Sequence, residues 1–295
     1  MIAQEVMAGL DAEQLAHLRE WEGRSETVAD RVTAAPIRGL AATLEAVGVD
    51  CRDGAELPEM WHWLYFLPCH AQGELGKDGH AKLGGFLPPV PLPRRMWAGG
   101  RLRWHAPLRV GDDVERTSRI ESVSHKSGRT GDLVFVLVQH EVRNAHGLAL
   151  TEEHDIVYRA PPRPGDEAPR PQPAPGDAVW SREIAPDPVL LFRYSALTFN
   201  GHRIHYDRSY VKDVEGYPGL VVHGPLIATL LVDLVRREHA GRRLASFSFK
   251  AVRPTFDLHR FRVSGRPLAA DRGVQLWAQD HEGWLTMQAE ARFVD

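Results

Sequence analysis

The chain has 295 residues, 43% of them hydrophobic and 25% charged. That is about twice the length of a typical domain, with enough apolar surface to offset chain entropy, so a disordered chain is excluded and two domains or one large one are expected. Its 36 basic and 39 acidic residues leave a formal charge of -3, which gives no general reason to expect a nucleic-acid or membrane-surface partner.

The chain opens with Gln4, Glu5, Asp11 and Glu13, where a secretory signal needs a basic start and an unbroken apolar run. Asp11 reads as an N-cap with Gln14 three residues on, and Leu10 and Leu15 take the positions of a hydrophobic staple, so a short helix through Trp21 is predicted. Residues 22–60 mix helical segments, chiefly 37–47, with turns. After Pro58 the aromatic run 61–67 suits a strand or a buried extended segment. Residues 77–100 are rich in Gly and Pro and read as a long loop that is functional or mobile. Residues 133–138 form an apolar run typical of a buried strand, and 144–147 read as a hairpin turn into a strand over 148–158.

Seven prolines between 161 and 175 mark a semi-rigid linker that cannot form a core. The expected division is 1–160, a linker over 161–178, and 179–295. In the second part, Leu226, Ile227, Leu230, Leu231, Leu234 and Val235 recur with helical period behind Pro225, with Arg236, Arg237 and His239 in the last turn and Gly241 beyond. Strand-like segments follow at 245–252, 260–265, 274–280 and 284–293. The two halves echo each other weakly, Pro107-Leu-Arg-Val-Gly-Asp against Pro254-Thr-Phe-Asp-Leu, and a tandem α+β duplication is the expectation.

Two cysteines, Cys51 and Cys69, are too few for a disulfide framework and fit a reducing compartment. No stretch reaches the ~20 apolar residues that span a bilayer. A soluble, cytoplasmic protein is expected.

Polar side chains concentrate over 192–207, followed by Val221-Val222-His223-Gly224-Pro225 at the start of the long helix. A helix N-terminus offers unpaired N–H groups, so Gly224 can polarise a carbonyl, and glycine there lets a substrate approach the backbone closely. An upstream histidine could exchange a proton with the carbon beside that carbonyl.

The pattern Asn200-x-His202-x-Ile204-His205-Tyr206-Asp207, with Val222-His223-Gly224 after it, resembles the motif of MaoC-like (R)-specific enoyl-thioester hydratases. The whole chain, including Pro58-x-x-Trp61-His62-Trp63, is similar to the type 2 3-hydroxyacyl-thioester dehydratases, nearest the mesaconyl-C4-CoA and itaconyl-CoA hydratase branch. The resemblance implies a double hotdog fold, in which each half wraps a curved antiparallel sheet round a helix. It implies that the second half is catalytic and that the first shapes the acyl cavity. It also implies cofactor-free, reversible hydration of an α,β-unsaturated CoA or carrier-protein thioester. The family histidine falls on His205, its aspartate on Asn200 and its backbone donor on Gly224. Asn200 is a departure, because a carboxamide cannot take a proton. His205 then does most of the proton work, with His202 and Asp207 as reserve acid/base groups. Arg203 and Arg193 are the candidates for a distal substrate carboxylate, and Tyr194 and His223 are further substrate-side residues.

Other assignments compete. His202-x-x-His205-x-Asp207 can be read as metal ligands, but no second cluster completes the set and no metal is expected. Cys69-His70 does not make a nucleophile–base pair, and 73–78 lacks the P-loop pattern. Straight-chain dehydration, thioester hydrolysis and acyl-CoA binding without turnover remain alternatives, and fold-level analogy suggests a homodimer.

Overall fold

Asp11 caps helix α1 (Ala12–Arg19) through the reciprocal bonds its spacing implies: its carboxylate accepts the Gln14 N–H at 2.8 Å, and the Gln14 side chain accepts the Asp11 N–H at 3.0 Å. The computed structural model describes residues 10–128, 131–160, 170–269 and 272–294. In the first half these form β1 (Ser25–Arg31), α2 (Ala34–Leu44), β2 (Arg94–Trp104), β3 (Asp113–Gly128), β4 (Gly131–Asn144) and β5 (Gly147–Arg159). The second half holds β6 (Trp180–Ile184), α3 (Pro188–Leu197), α4 (Arg208–Asp213), α5 (Gly224–Glu238), β7 (Leu244–Ala251), β8 (Phe261–Pro267), β9 (Gly273–Gln279) and β10 (Leu285–Phe293).

The strands form one antiparallel sheet in the order β1-β3-β4-β5-β2-β7-β10-β9-β8-β6. Outward from the central β2–β7 seam the two runs are β2-β5-β4-β3-β1 and β7-β10-β9-β8-β6, so the second repeats the first with every strand five places on. This is the double hotdog arrangement. At the seam Leu102 pairs with Phe247 and Gly100 with Phe249. A Cβ on Gly100 would stand 2.9 Å from the Glu153 carbonyl oxygen and 3.0 Å from the Phe249 ring, so the close approach of the halves requires glycine there.

Helix α5 follows its sequence pattern. Pro225 occupies the first turn, where no intrahelical N–H is needed. Leu226, Ile227, Leu230, Leu231, Leu234 and Val235 are all buried against β6, β8, β9 and β10. The first half has no such helix between β1 and β2. It has the short α2, 3-10 turns at Trp61–Leu64 and Gln72–Glu74, and extended chain. Of the strand or buried extended segment expected over 61–67, residues 61–64 instead form a buried 3-10 turn, for a tertiary reason. His62 Nε2 and Trp63 Nε1 both donate to the buried Glu152 carboxylate at 2.9 Å, His154 Nε2 donates to it at 2.7 Å, and the Tyr65 hydroxyl donates to Thr33 O at 2.6 Å. These bonds curl the aromatic run and override its β propensity.

The Gly/Pro-rich stretch is irregular only as far as 93, since β2 begins at Arg94. Of the proline-rich segment, 161–169 lies outside the described residues. Beyond it the chain runs beside β10, with Leu285 N–H donating to Gln172 O at 2.8 Å. Both cysteines are free, and no described helix is long and apolar enough to cross a membrane.

Candidate active site

Helix α3 stops because Phe199 adopts a left-handed backbone, φ 49°, and the Asn200 N–H turns back to Ser195 O at 2.8 Å. The turn delivers 200–207 to the mouth of α5. Asn200 Oδ1 accepts the His202 N–H at 3.0 Å, so its carbonyl is committed to the loop and its NH2 is the end left to face a ligand. A 3-10 turn over Arg203–His205 then seats His205, which is 7% exposed.

His205 Nδ1–H donates to Val221 O at 2.7 Å. That bond fixes the tautomer and leaves the Nε2 lone pair free, the state a general base requires. The segments are tied together by Val221 N–H donating to Ile204 O at 3.0 Å. His223, fully buried as the residue before α5, stacks on His205 with ring centroids 3.7 Å apart, and its Nε2 bonds to Ser195 Oγ at 2.8 Å. Its hydrogen-bond partner is thus a buried hydroxyl, and it backs the His205 ring. Gly224 begins α5, and a Cβ built on it would meet nothing within 4 Å. A thioester oxygen has room to reach the first-turn amides there.

Burial holds His205 down to about 4, with the field of His80 adding to it and the Val221 bond opposing. Burial likewise lowers His202 to about 2, helped by His80 and His205, and puts His223 well below the usual histidine range. All three imidazoles are neutral near pH 7.

The structure assigns the other sequence candidates different tasks. Asp207 caps α4 by accepting the Tyr210 N–H at 3.0 Å, and its other oxygen pairs with Arg203 at 2.8 Å. Arg203 also donates to Lys77 O at 3.0 Å and lies over the Tyr210 ring at 4.1 Å. Neither is free for acid/base work or for a substrate carboxylate. Arg193 is on the exposed side of α3. Tyr194 is 2% exposed and packs edge-on behind His223 at 5.0 Å, so it supports that ring and does not line an opening.

Two neighbours were not foreseen. The hairpin 74–82, closed by Gly76 N–H to His80 O at 2.7 Å and Lys82 N–H to Glu74 O at 2.9 Å, reaches across from the first half. Asp78 O accepts the Arg203 N–H at 2.9 Å, His80 Nδ1–H donates to Asp78 Oδ2 at 2.9 Å, and the His80 ring lies 3.9 Å from that of His202. Asp78, His80 and His202 are the one described group with ligand atoms close enough for a metal, all within 4.8 Å of one another. His205 and Asp207 are not part of that group, and Asp207 is paired with Arg203.

A recess of about 420 Å³ at the β2–β7 seam, lined by Arg101, Glu153, Ser246, Ser248 and Glu290, contains none of these residues.

A buried neutral histidine with one free nitrogen, set beside an open helix N-terminus, suits proton exchange next to a polarised carbonyl. Residues 60–257 match the family model of hydroxyacyl-thioester dehydratase type 2. The chain belongs to that family. It is a hydro-lyase of acyl thioesters. The dehydratase is 48% identical over 272 residues to mesaconyl-C(4)-CoA hydratase of Chloroflexus aurantiacus, covering 91% of this chain and 95% of that one. Among solved structures it superposes on a MaoC-like dehydratase from Phytophthora capsici with TM-score 0.66 at 14% identity, covering 95% and 99% of the two chains. A Mycobacterium tuberculosis protein described as having a double hotdog fold matches with TM-score 0.58 at 12% identity, covering 92% and 96%.

Proposed function

We propose that this dehydratase adds water reversibly to mesaconyl-C4-CoA, giving citramalyl-CoA, in a reducing, cytoplasmic compartment that suits its two free thiols. The observation that carries the chemistry is His205: neutral, anchored through Nδ1 to Val221 O, with Nε2 free beside the Gly224 end of α5. The choice of substrate is supported by the 48% identity to the Chloroflexus enzyme.

In the forward step the thioester oxygen accepts hydrogen bonds from the first-turn amides of α5, which stabilise the enolate that forms. His205 Nε2 takes a proton from water as the water oxygen bonds to the β-carbon, and the alkene pair moves onto the thioester oxygen. The imidazolium returns its proton to the α-carbon as the carbonyl reforms. One water is added and no charge is left over. The Asn200 NH2 donates to the incoming oxygen and sets its position.

In this substrate the β-carbon itself bears the second carboxylate, so a cation is needed close to the histidines. Arg95 of β2, paired in register with Tyr158, has a field that reaches both His80 and His202. It suits that role better than Arg203, whose guanidinium is occupied. The test is loss of enoyl absorbance on mesaconyl-C4, itaconyl, crotonyl and longer 2-enoyl CoA, with thiol release followed in parallel. Hydration of mesaconyl-C4-CoA without free thiol supports the assignment. Thiol release points to a thioesterase instead.

A further inference from the structure

The family's second catalytic carboxylate is absent at position 200, yet a carboxylate does face this site, from the other half of the chain. We propose that Asp78 and His80 form a dyad of positioning residues that, through His202, orients the His205 site and stabilises the positive charge His205 acquires during hydration. The proposal rests on the hydratase reading of the site.

The geometry is built for contact. Gly79 has φ +89°, and a Cβ there would stand 1.9 Å from Gly201 O, so only glycine lets the hairpin tip seat against the catalytic loop. Asp78 O and Lys77 O then hold the Arg203 amide and guanidinium, at 2.9 and 3.0 Å, which fixes the loop from outside. The Asp78 carboxylate accepts the His80 backbone N–H at 3.1 Å and its Nδ1–H at 2.9 Å. With that proton placed, His80 presents an unprotonated Nε2 and a ring polarised by a full negative charge.

From His80 the imidazoles continue in a row. His80 to His202 is 3.9 Å between centroids, His202 to His205 is 5.4 Å, and His205 to His223 is 3.7 Å. The first pair is tilted by 40°, the second meets edge to face and the third is stacked, and none hydrogen-bonds in line. The dyad therefore acts through its field and by fixing orientation, not as a proton wire. When His205 takes the proton from water, the row contains one imidazolium, and the Asp78 anion stands at the far end of that row, bonded to His80. Burial opposes ionisation of Asp78, but the hydrogen bonds from the His80 ring and backbone outweigh it and help hold the carboxyl at about 2, so the anion is present throughout the working range. The other charged and titratable groups facing the dyad are Arg95 from β2, Arg203 and Tyr210 from the 203–213 segment, and Glu215 beyond α4. Glu215 accepts the Tyr210 hydroxyl at 3.1 Å and pairs with Arg94 at 3.7 Å. Asp78 is left as the carboxylate bonded to the histidine row.

A metal ion would draw on the same three side chains, Asp78, His80 and His202, whose ligand atoms lie within 4.8 Å of one another. The dyad accounts for the contact without one, and the experiment separates the two.

The purified full chain is assayed on mesaconyl-C4-CoA as wild type, Asp78→Asn, Asp78→Glu, His80→Gln and the Asp78→Asn/His80→Gln double variant, with thermal melting as the folding control. The expected result is a fall in kcat of about 10- to 100-fold for Asp78→Asn and for His80→Gln, with KM within about three-fold. The acid limb of kcat moves to lower pH in Asp78→Asn, since losing an anion lowers the histidine pKa. Asp78→Glu recovers part of the rate, and the double variant is no slower than the worse single, as for two residues acting as one unit. Single variants within about two-fold of wild type overturn the dyad, and so does a double variant equal to the product of the singles. Loss of wild-type activity on chelation, restored by Zn²⁺, overturns it in favour of a metal site. Should wild type hydrate no enoyl-CoA, the substrate reading fails by itself. The dyad is then decided by histidine ¹⁵N spectra: Nδ1–H for His80, with His202 and His205 resonances displaced in Asp78→Asn, supports it, and unchanged spectra overturn it.

Discussion

His205 and His223 lie face to face, with ring centroids 3.7 Å apart and planes 18° from parallel. One is anchored through Val221 O and the other through Ser195 Oγ, so the stack spans the 200–207 loop, the end of α3 and the entry of α5. Two imidazolium ions could not share that contact, and both rings are held neutral chiefly by burial.

Ser195 is the partner of a His223 whose Nδ1 already has none among the described residues. Ser195→Ala is expected to cost about 1–3 kcal/mol of stability, because it leaves the second nitrogen buried and unpaired. It should also lower kcat about ten-fold with little change in KM, since His205 loses its backing. Denaturant melts and steady-state kinetics check both, and an unaltered kcat would show that the stack does not orient His205.

The pH dependence follows from the lowered histidines. A group whose pKa is about 4 when folded and ~6.5 when unfolded binds more protons in the unfolded chain between those values. Stability is then complete above ~6.5 and falls as pH drops toward about 4, by roughly 3 kcal/mol for His205 alone. His202 and His223 shift in the same direction. Hydration should stay flat through neutral pH, with an acid limb well below the ~6.5 of a free histidine. Melts at stepped pH beside kcat/KM profiles read this, and a limb near 6.5 would contradict the buried, neutral state.

Asn200→Asp restores the family carboxylate. Its oxygen can still accept the His202 N–H, so the loop should hold. The added negative charge beside neutral imidazoles raises their pKa, and the acid limb of kcat/KM is expected to rise by about one pH unit. A limb that stays in place would show that residue 200 does not face the histidines in solution.

Glu152 tests the first half. It is buried, bonded by His62, Trp63 and His154, and the fields of the two histidines outweigh burial to hold it ionised. Glu152→Ala should destabilise the chain by about 3 kcal/mol, some 6–12 °C in Tm. An unchanged melting curve would mean the 61–64 turn is held by packing alone.

Much of this molecule follows from local pattern. The periodicity behind Pro225 located α5, the 144–147 turn located the β4–β5 hairpin, and the Asn200–Asp207 pattern marked the loop that meets the entry of α5. Contacts between distant segments were not legible. Trp61–Leu64 has strand propensity, and only the Glu152 carboxylate, ninety residues later, explains its 3-10 turn. Asp78 and His80 stand in a Gly-rich stretch with no periodic signal. Their role depends on a hairpin docking on Gly201, which glycines alone do not announce. The free carboxyl and guanidinium expected of Asp207 and Arg203 are used up on each other, four residues apart on a short turn, a pairing that i,i+4 spacing could have flagged.

The central claim is that His205 is the base of a thioester hydratase. Its most direct test is the rate of enoyl-absorbance loss on mesaconyl-C4-CoA for wild type and His205→Ala, with free thiol and folded fraction measured on the same samples. The account requires hydration by wild type, no thiol, and a loss of at least about 10³-fold in the folded variant. A folded His205→Ala protein that hydrates the substrate within about ten-fold of wild type would contradict it.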